Sequence, residues 1–373
     1  MTITRLARML TPVIALLPLL SGQPGTAANA PQPAAQSTPA APAARPGGGG
    51  PARAITQVKG DVYRASNGGW YVAILDTPEG LLLVDTISVA FSRWLKDELA
   101  QKFPGKVVKY VILSHSHWDH SEGGTVFADT AKFIAQEGFL RNMDGRYPAL
   151  PGDMTDRNDN GHIDVAEFVD PAREHPGFCG MNAASVTTKD KDGDGRASPG
   201  EFFADTPKPD ITYSDRMTLR FGGKTLQLVF PGKNHANDGT AVLFTDERVL
   251  FTVDFPADAL VRDSMRSMPS ACGRFDGHPM DEWIRSYRTL EALDFDISVG
   301  GHGSVPFSKK DLTEGREFME YLKREVEAAM RKGLSLAQMK QTLMLEPYKD
   351  WRYHKELRED NIEAAYYNLK TYK

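Results

Sequence analysis

From Ile55 onward the chain alternates short apolar runs with turn-forming residues, and the runs have strand length. Val58 to Arg64, Trp70 to Leu75 and Leu81 to Val84 read as three strands parted by Asn67-Gly68-Gly69 and Pro78-Glu79-Gly80. Phe91, Trp94, Leu95 and Leu99 then recur at helical spacing behind Ser88, a natural cap. Lys109 to Leu113 is an apolar run that predicts a buried strand, and Ser121-Glu122-Gly123-Gly124 is expected to open a helix before a short strand at Lys132 to Ala135. The pattern resumes near Ile211 with strands at Met217 to Phe221, Leu226 to Phe230, Thr240 to Phe244 and Val249 to Val253. A helix from Asp281 to Leu293 leads to a strand at Asp296 to Val299. Beyond Ser308, Phe318, Leu322, Val326 and Met330 form a helical stripe that Gly333 can end, and Ser335 with Gln338 makes a capping box for the next helix. Strands interleaved with helices in this way predict an α/β fold whose C-terminal helices pack on the core.

Residues 1–53 follow different rules. Arg5 and Arg8 precede an apolar run from Met9 to Leu20, broken by Pro12 and Pro18, and Ala28-Asn29-Ala30 offers a small-x-small cleavage site. That run is too short for a stable span, so residues 1–30 read as a signal peptide and the mature protein is expected to be periplasmic or secreted, without a membrane span. Residues 31–53 are Ala, Pro, Gly and Gln with almost no large apolar side chain, the composition of a disordered linker. A net charge of -5 without a long Lys/Arg block argues against a nucleic-acid surface. The two cysteines, Cys179 and Cys272, are too few for a thiolate zinc cluster but are candidates for one bridge in an exported protein.

Chemistry concentrates directly after the strand ending at Leu113. Ser114-His115-Ser116-His117-Trp118-Asp119-His120-Ser121 places three imidazoles and a carboxylate within six residues. Those are ligand types that borderline divalent metals prefer, and a loop at a strand end can aim alternate side chains at different ions. His115 and His117 would serve one ion, Asp119 and His120 another.

His-x-His-x-Asp-His after an apolar strand resembles the motif of the metallo-β-lactamase superfamily. The resemblance implies an αββα sandwich with a di-metal site along one edge, completed by a lone His, a bridging acid and a final His. The matching positions are His235 in Pro231-Gly232-Lys233-Asn234-His235, Asp254 in Leu250-Phe251-Thr252-Val253-Asp254, and His302 in Val299-Gly300-Gly301-His302. The implied ligands are then His115, His117 and His235 for the first ion, Asp119, His120 and His302 for the second, and Asp254 for both. The resemblance also suggests that Asp85, at the end of the third strand, orients the metal loop; a plain strand-end turn is the other reading. It divides the folded part into a first half of the core (54–137), an insertion (138–209), a second half (210–308) and a C-terminal helical extension (309–373).

The insertion holds two twelve-residue stretches with the spacing of EF-hand calcium loops. Calcium takes hard oxygens at loop positions 1, 3, 5, 7, 9 and 12, with Gly at position 6 for the turn. The first loop offers Asp156, Asn158, Asn160, the His162 carbonyl, Asp164 and Glu167, and the second Asp190, Asp192, Asp194, the Arg196 carbonyl, Ser198 and Glu201. The flanks depart from the EF-hand pattern, since Pro148, Pro151 and Pro171 interrupt the helices that would enter and leave the first loop. Up to two calcium ions in a structural rather than sensing role follow from that reading.

The expected activity is that of a di-zinc hydrolase, iron or manganese being the other ions for such a set. A metal-bound hydroxide would cleave an ester, thioester, lactone, phosphodiester or related amide bond of a small molecule. Asp119 would also pass a proton to the leaving group, and Asp254 would bridge. An Asp at 254 resembles glyoxalase II, lactonases and phosphodiesterases more than the zinc β-lactamases, many of which have Cys there. β-Lactam hydrolysis and an iron-dependent persulfide dioxygenase-like oxidation remain as alternatives.

Overall fold

The computed structural model describes residues 52–143, 163–164, 189–256, 266–268, 278–303 and 306–372. The expected signal peptide, the expected linker as far as Pro51, most of the first calcium-type loop, and both cysteines lie outside them, whereas Arg53, expected to end the linker, opens the first strand.

Strands β1 (Arg53–Lys59), β2 (Val62–Asn67), β3 (Trp70–Thr77), β4 (Gly80–Val84), β5 (Val108–Leu113), β6 (Lys132–Gln136) and β9 (Ile211–Tyr213) form one sheet in that spatial order. Strands β10 (Arg216–Phe221), β11 (Lys224–Val229), β12 (Ala241–Phe244), β13 (Val249–Val253) and β14 (Ile297–Gly300) form a second. A two-residue pair, β7 (Ile163–Asp164) with β8 (Arg196–Ala197), stands apart.

Period-two alternation assigns each face. In β4, Leu82 and Val84 join Ile112 of β5 and meet Leu226, Leu228, Phe244 and Phe251 of the second sheet. Leu81 and Leu83 point the other way, onto Phe91, Leu95 and Leu99 of helix α1 (Val89–Lys102). In the second sheet Val242, Val249 and Phe251 face the sandwich interior, whereas Leu243 and Leu250 face the C-terminal helices. The result is four layers, helix, sheet, sheet, helix, an αββα sandwich of the α/β class.

Ser88 caps α1 by accepting from the Phe91 amide at 3.3 Å. After it come the short α2 (Trp118–Ser121), α3 (Glu137–Met143) and α4 (Pro199–Phe202), then α5 (Met280–Glu291), α6 (Lys309–Arg331), α7 (Leu336–Thr342) and α8 (His354–Thr371). The stripe expected on α6 is there: Phe318, Leu322 and Val326 are fully buried against the second sheet and α5, each worth roughly 1.5–3 kcal/mol of apolar burial. The C-terminal extension therefore packs on the core, and Ser335 with Gln338 forms the capping box. No helix among the described residues is long and apolar enough to cross a membrane.

Two local expectations fail. Val58 to Arg64 is not one strand, because Gly60 adopts φ +54° and turns the chain between β1 and β2. The helical turn after β5 lies inside the histidine motif, as α2, instead of opening at Ser121. Gly123 takes φ +89° with its α-carbon pressed on Ser88, so it ends that turn, and a 3₁₀ segment (Gly124–Phe127) follows.

Both sheets send parallel strands toward the same edge: β4 and β5 in one, β13 and β14 in the other. Asp85, the histidine motif, Asp254 and His302 follow the ends of those four strands, and the His235 loop follows β11.

Candidate metal centre

The four loops close on two groups of donors. His115, His117, His235 and Asp254 form one, and Asp119, His120 and His302 the other, each with donor atoms mutually within 4.8 Å. In the first, His235 Nε2 stands 3.1 Å from His117 Nδ1 and 3.3 Å from Asp254 Oδ2, which is 3.4 Å from His115 Nε2. In the second, His120 Nε2 and His302 Nε2 are 2.9 Å apart, and Asp119 Oδ2 is 3.6 and 3.4 Å from them. Asp254 divides its carboxylate between the groups, with Oδ1 at 3.1 Å from His120 Nε2 and 3.2 Å from His302 Nε2.

These spacings test whether metal ions fit. A tetrahedron with arms of about 2.0–2.1 Å has edges of about 3.3–3.4 Å, close to the separations found in both groups. His115 Nε2 and Asp254 Oδ1 are also buried without a hydrogen bond of usable geometry, a costly arrangement unless something else satisfies them. Nitrogen and carboxylate donors without thiolate suit zinc, iron or manganese alike. The residues fit two divalent ions.

Electrostatics agree. Burial, helped by His115 and His235, holds His117 well below the ordinary imidazole range, so the lone pair of one ring nitrogen stays available. Burial opposes ionisation of Asp254 and Asp119, but His120 and His302 outweigh it and keep both carboxyls strongly acidic. Burial likewise opposes charge on His120, yet Asp254 and Asp119 raise it well above its ordinary value.

The surrounding residues explain the aim of the donors. Asp85, held at φ +72°, accepts from the Ser114 amide and hydroxyl at 2.8 Å each, and its Oδ2 lies 3.1 Å from His120 Nδ1. With Nδ1 so engaged, Nε2 of His120 faces the donor cluster, the usual role of a carboxylate behind a ligating imidazole. Of the two readings of Asp85, orientation of the loop is what the contacts describe. Val253, a β-branched residue at φ +57°, holds a strained turn that delivers Asp254.

Three contributors were not singled out in the sequence. Trp70 donates its indole N–H to Asp119 Oδ2 at 3.1 Å. Asp238 accepts from the Ser116 amide at 3.0 Å, bracing the loop between His115 and His117. Gly301 packs so tightly on His120 that no side chain fits. Asp238 lay beside His235 and Gly301 beside His302, but Trp70 carried only its place at a hairpin tip.

In the insertion, Asp190, Asp192 and Asp194 of the second loop draw together, and Glu201 accepts from the Lys191 and Ser198 amides at 2.9 Å. Ile163 pairs with Ala197 across β7 and β8, which joins the eighth positions of the two loops. Of the first loop's candidate ligands, Asp164 is described in its backbone alone, and Asp156, Asn158, Asn160, His162 and Glu167 lie outside the described residues. Lys189, just before the second loop, reaches Glu122 at 2.6 Å and lies over the Trp118 ring at 5.5 Å, tying the insertion to α2.

Comparison with known proteins agrees with this geometry. Residues 68–136 match the family model of the metallo-beta-lactamase superfamily, and the chain carries a domain of that superfamily. The chain is 24% identical over 257 residues to the alpha subunit of 2,4-dinitroanisole O-demethylase from Nocardioides sp. (strain JS1661), covering 68% of this chain and 58% of the relative. It is 24% identical over 288 residues to the linear primary-alkylsulfatase of Pseudomonas sp. (strain ATCC 19151), covering 74% of this chain and 50% of that protein. Among solved structures, the stereoselective inverting sec-alkylsulfatase Pisa1 from Pseudomonas sp. has a TM-score of 0.55 at 18% identity, over 86% of this chain and 51% of that one. The chain thus spans little more than half the length of the curated relatives it matches.

Proposed function

We propose that this protein is an exported two-zinc hydrolase of small molecules, cleaving an ester, thioester, lactone, phosphodiester or related amide bond. The observation that carries the proposal is Asp254, whose two carboxylate oxygens face separate groups of buried imidazoles. His115, His117 and His235 would hold one ion, Asp119, His120 and His302 the other, and Asp254 both. Two such ions, when bound, make a shared water nucleophilic near neutral pH and polarise the bond to be cleaved.

The chain's own residues supply the rest. Asp85 fixes the tautomer and direction of His120, and Asp238 holds the Ser116 backbone. Asp119 is the more exposed of the two acids, at 22% of its side-chain surface against 3% for Asp254, which supports its taking a proton from the attacking water and relaying it to the departing group. The relatives' names describe cleavage at alkyl sulfates and at a methyl aryl ether, so both substrate types join esters, thioesters, lactones, phosphodiesters and β-lactams as candidates.

The proposal also assigns the insertion two calcium ions with a structural role. The pairing of Ile163 with Ala197 supports it, because it joins the eighth positions of the two loops, the contact expected between paired EF-hand loops. Metal analysis of the chain from Pro31 onward, purified without chelators and then screened against those substrates, tests both assignments. About two zinc and two calcium per chain with hydrolysis is the expected result. One iron per chain with oxygen-dependent turnover would replace the hydrolytic reading.

A further inference from the structure

The hairpin joining β2 and β3 ends at the donor cluster. The Tyr71 amide donates to the Gly301 carbonyl at 2.7 Å, the Gly303 amide donates to the Gly69 carbonyl at 3.2 Å, and Trp70 pairs with His302 as an isolated antiparallel bridge. The hairpin backbone is thereby fastened to the loop bearing His302. Its side chain reaches the other loop of the same group: Trp70 Nε1 donates to Asp119 Oδ2, the oxygen that faces His302 and His120. The indole also meets the His302 ring edge-on, with centroids 5.6 Å apart.

A carboxylate oxygen has two in-plane lone-pair directions. A donor fixed on one leaves the other for a cation and stops rotation about the broad terminal torsion of the aspartate. Asp119 needs such a stop because it sits on the four-residue α2 and is the most exposed donor of the seven. The first group has supports of its own, in Ser114 beside His115 and Asp238 behind Ser116.

The geometry points to Trp70 as the positioning residue of the second metal site, holding Asp119 and His302 in register so that the centre takes a second ion. This inference rests on the two-ion reading and deepens it. Trp70 is thus a determinant of whether the protein works with one ion or two.

The test is a zinc titration of the full, chelator-stripped chain against a competing chromophoric chelator, with Trp70→Phe beside the unaltered protein. Phenylalanine keeps the ring against His302 and removes the N–H. The first binding step should stay within about twofold, whereas the second should weaken by about 10–100-fold, as for lost partners of metal-binding side chains elsewhere. Trp70→His, which restores a ring N–H, should recover part of that loss. Two unchanged steps in Trp70→Phe, or equal weakening of both, would overturn the assignment. A single zinc in the unaltered protein would overturn the two-ion reading first and this inference with it. A readout independent of folding variants is the indole N–H spectrum of the five tryptophans. One resonance should move on the second zinc equivalent and not on the first; no such resonance would count against Trp70.

Discussion

A methyl group on Gly301 would stand 2.9 Å from Cε1 of His120, 3.1 Å from Val253 Cγ1 and 3.2 Å from Asp254 Oδ1. The close approach of β14's exit to the histidine loop thus depends on a missing side chain. Gly301→Ala must push on His120 or on the acid facing both donor groups, and neither can give way without spoiling its aim. Overpacking of this kind costs about 1–3 kcal/mol, and a shift of about 1 Å at reacting groups can cost 100-fold in rate. Gly301→Ala should therefore lower the melting temperature modestly and reduce hydrolysis at least tenfold, while Gly239→Ala, which meets open space, should do neither. Parallel melting and rate measurements on the two variants check this.

Zinc uptake by the second group should release a proton. His120 is held well above its ordinary value by Asp254 and Asp119, so near neutral pH the metal-free protein carries a proton there. A cation must displace it, and affinity for the second ion should rise with pH by up to about tenfold per unit until His120 is neutral without metal. His117, kept low by burial and by its imidazole neighbours, adds no such proton. Titrating zinc in weakly buffered solution and counting protons released measures this. Affinity independent of pH between 6 and 8 would contradict it.

The parts of this protein that were legible in its sequence are those in which one residue type repeats its own evidence nearby. The apolar runs ending at Leu113, Val253 and Val299 read as strands because each is short and uninterrupted, and the donors follow at once. The α6 stripe was legible for the same reason. What stayed hidden depends on contacts between distant residues: Trp70 meets Asp119 49 positions on, and Asp238 meets Ser116 across 122. The turn at Gly60 was misread because Val58 and the residues beyond Asp61 alternate well enough to pass for one strand. The α2 turn was missed because His117-Trp118-Asp119-His120 has no apolar periodicity; the turn is held by the Ser121 and Glu122 amides, which donate to the His117 and Trp118 carbonyls at 3.0 Å each, and by the Thr86 amide, which donates to the His120 carbonyl at 2.9 Å.

Calcium should stabilise the zinc-loaded protein. Glu201 closes the second loop, where its carboxylate accepts from the Lys191 amide and from the Ser198 amide and hydroxyl. An ion held there at about 100 times its dissociation constant contributes about 2.7 kcal/mol, enough to raise the melting temperature by several degrees. Glu201→Gln and Asp190→Asn should each remove most of that rise. Because Lys189 bonds Glu122 beside α2, calcium should also slow loss of zinc to a competing chelator. A melting curve indifferent to millimolar calcium would refute the assignment.

The acid side of the stability profile should be shaped by His278. This residue is buried at the start of α5, its Nε2 has no hydrogen-bond partner among the described residues, and its carbonyl accepts from Asn368 at 2.8 Å. Burial, with Lys233 nearby, pushes its pKa down to about 4. Between the unfolded value of about 6.5 and that figure, the unfolded chain takes up a proton that the folded chain refuses. Stability attributable to this group is therefore full above pH 6.5 and falls through the interval, to a loss of up to about 3 kcal/mol near pH 4. His278→Gln cannot take up that proton, so its stability should decline less between pH 7 and 4.5 than that of the unaltered protein. Zinc loss affects both alike and cancels in the difference. Denaturant melts of the pair across this range decide the matter, and parallel declines would show that His278 titrates normally in the folded chain.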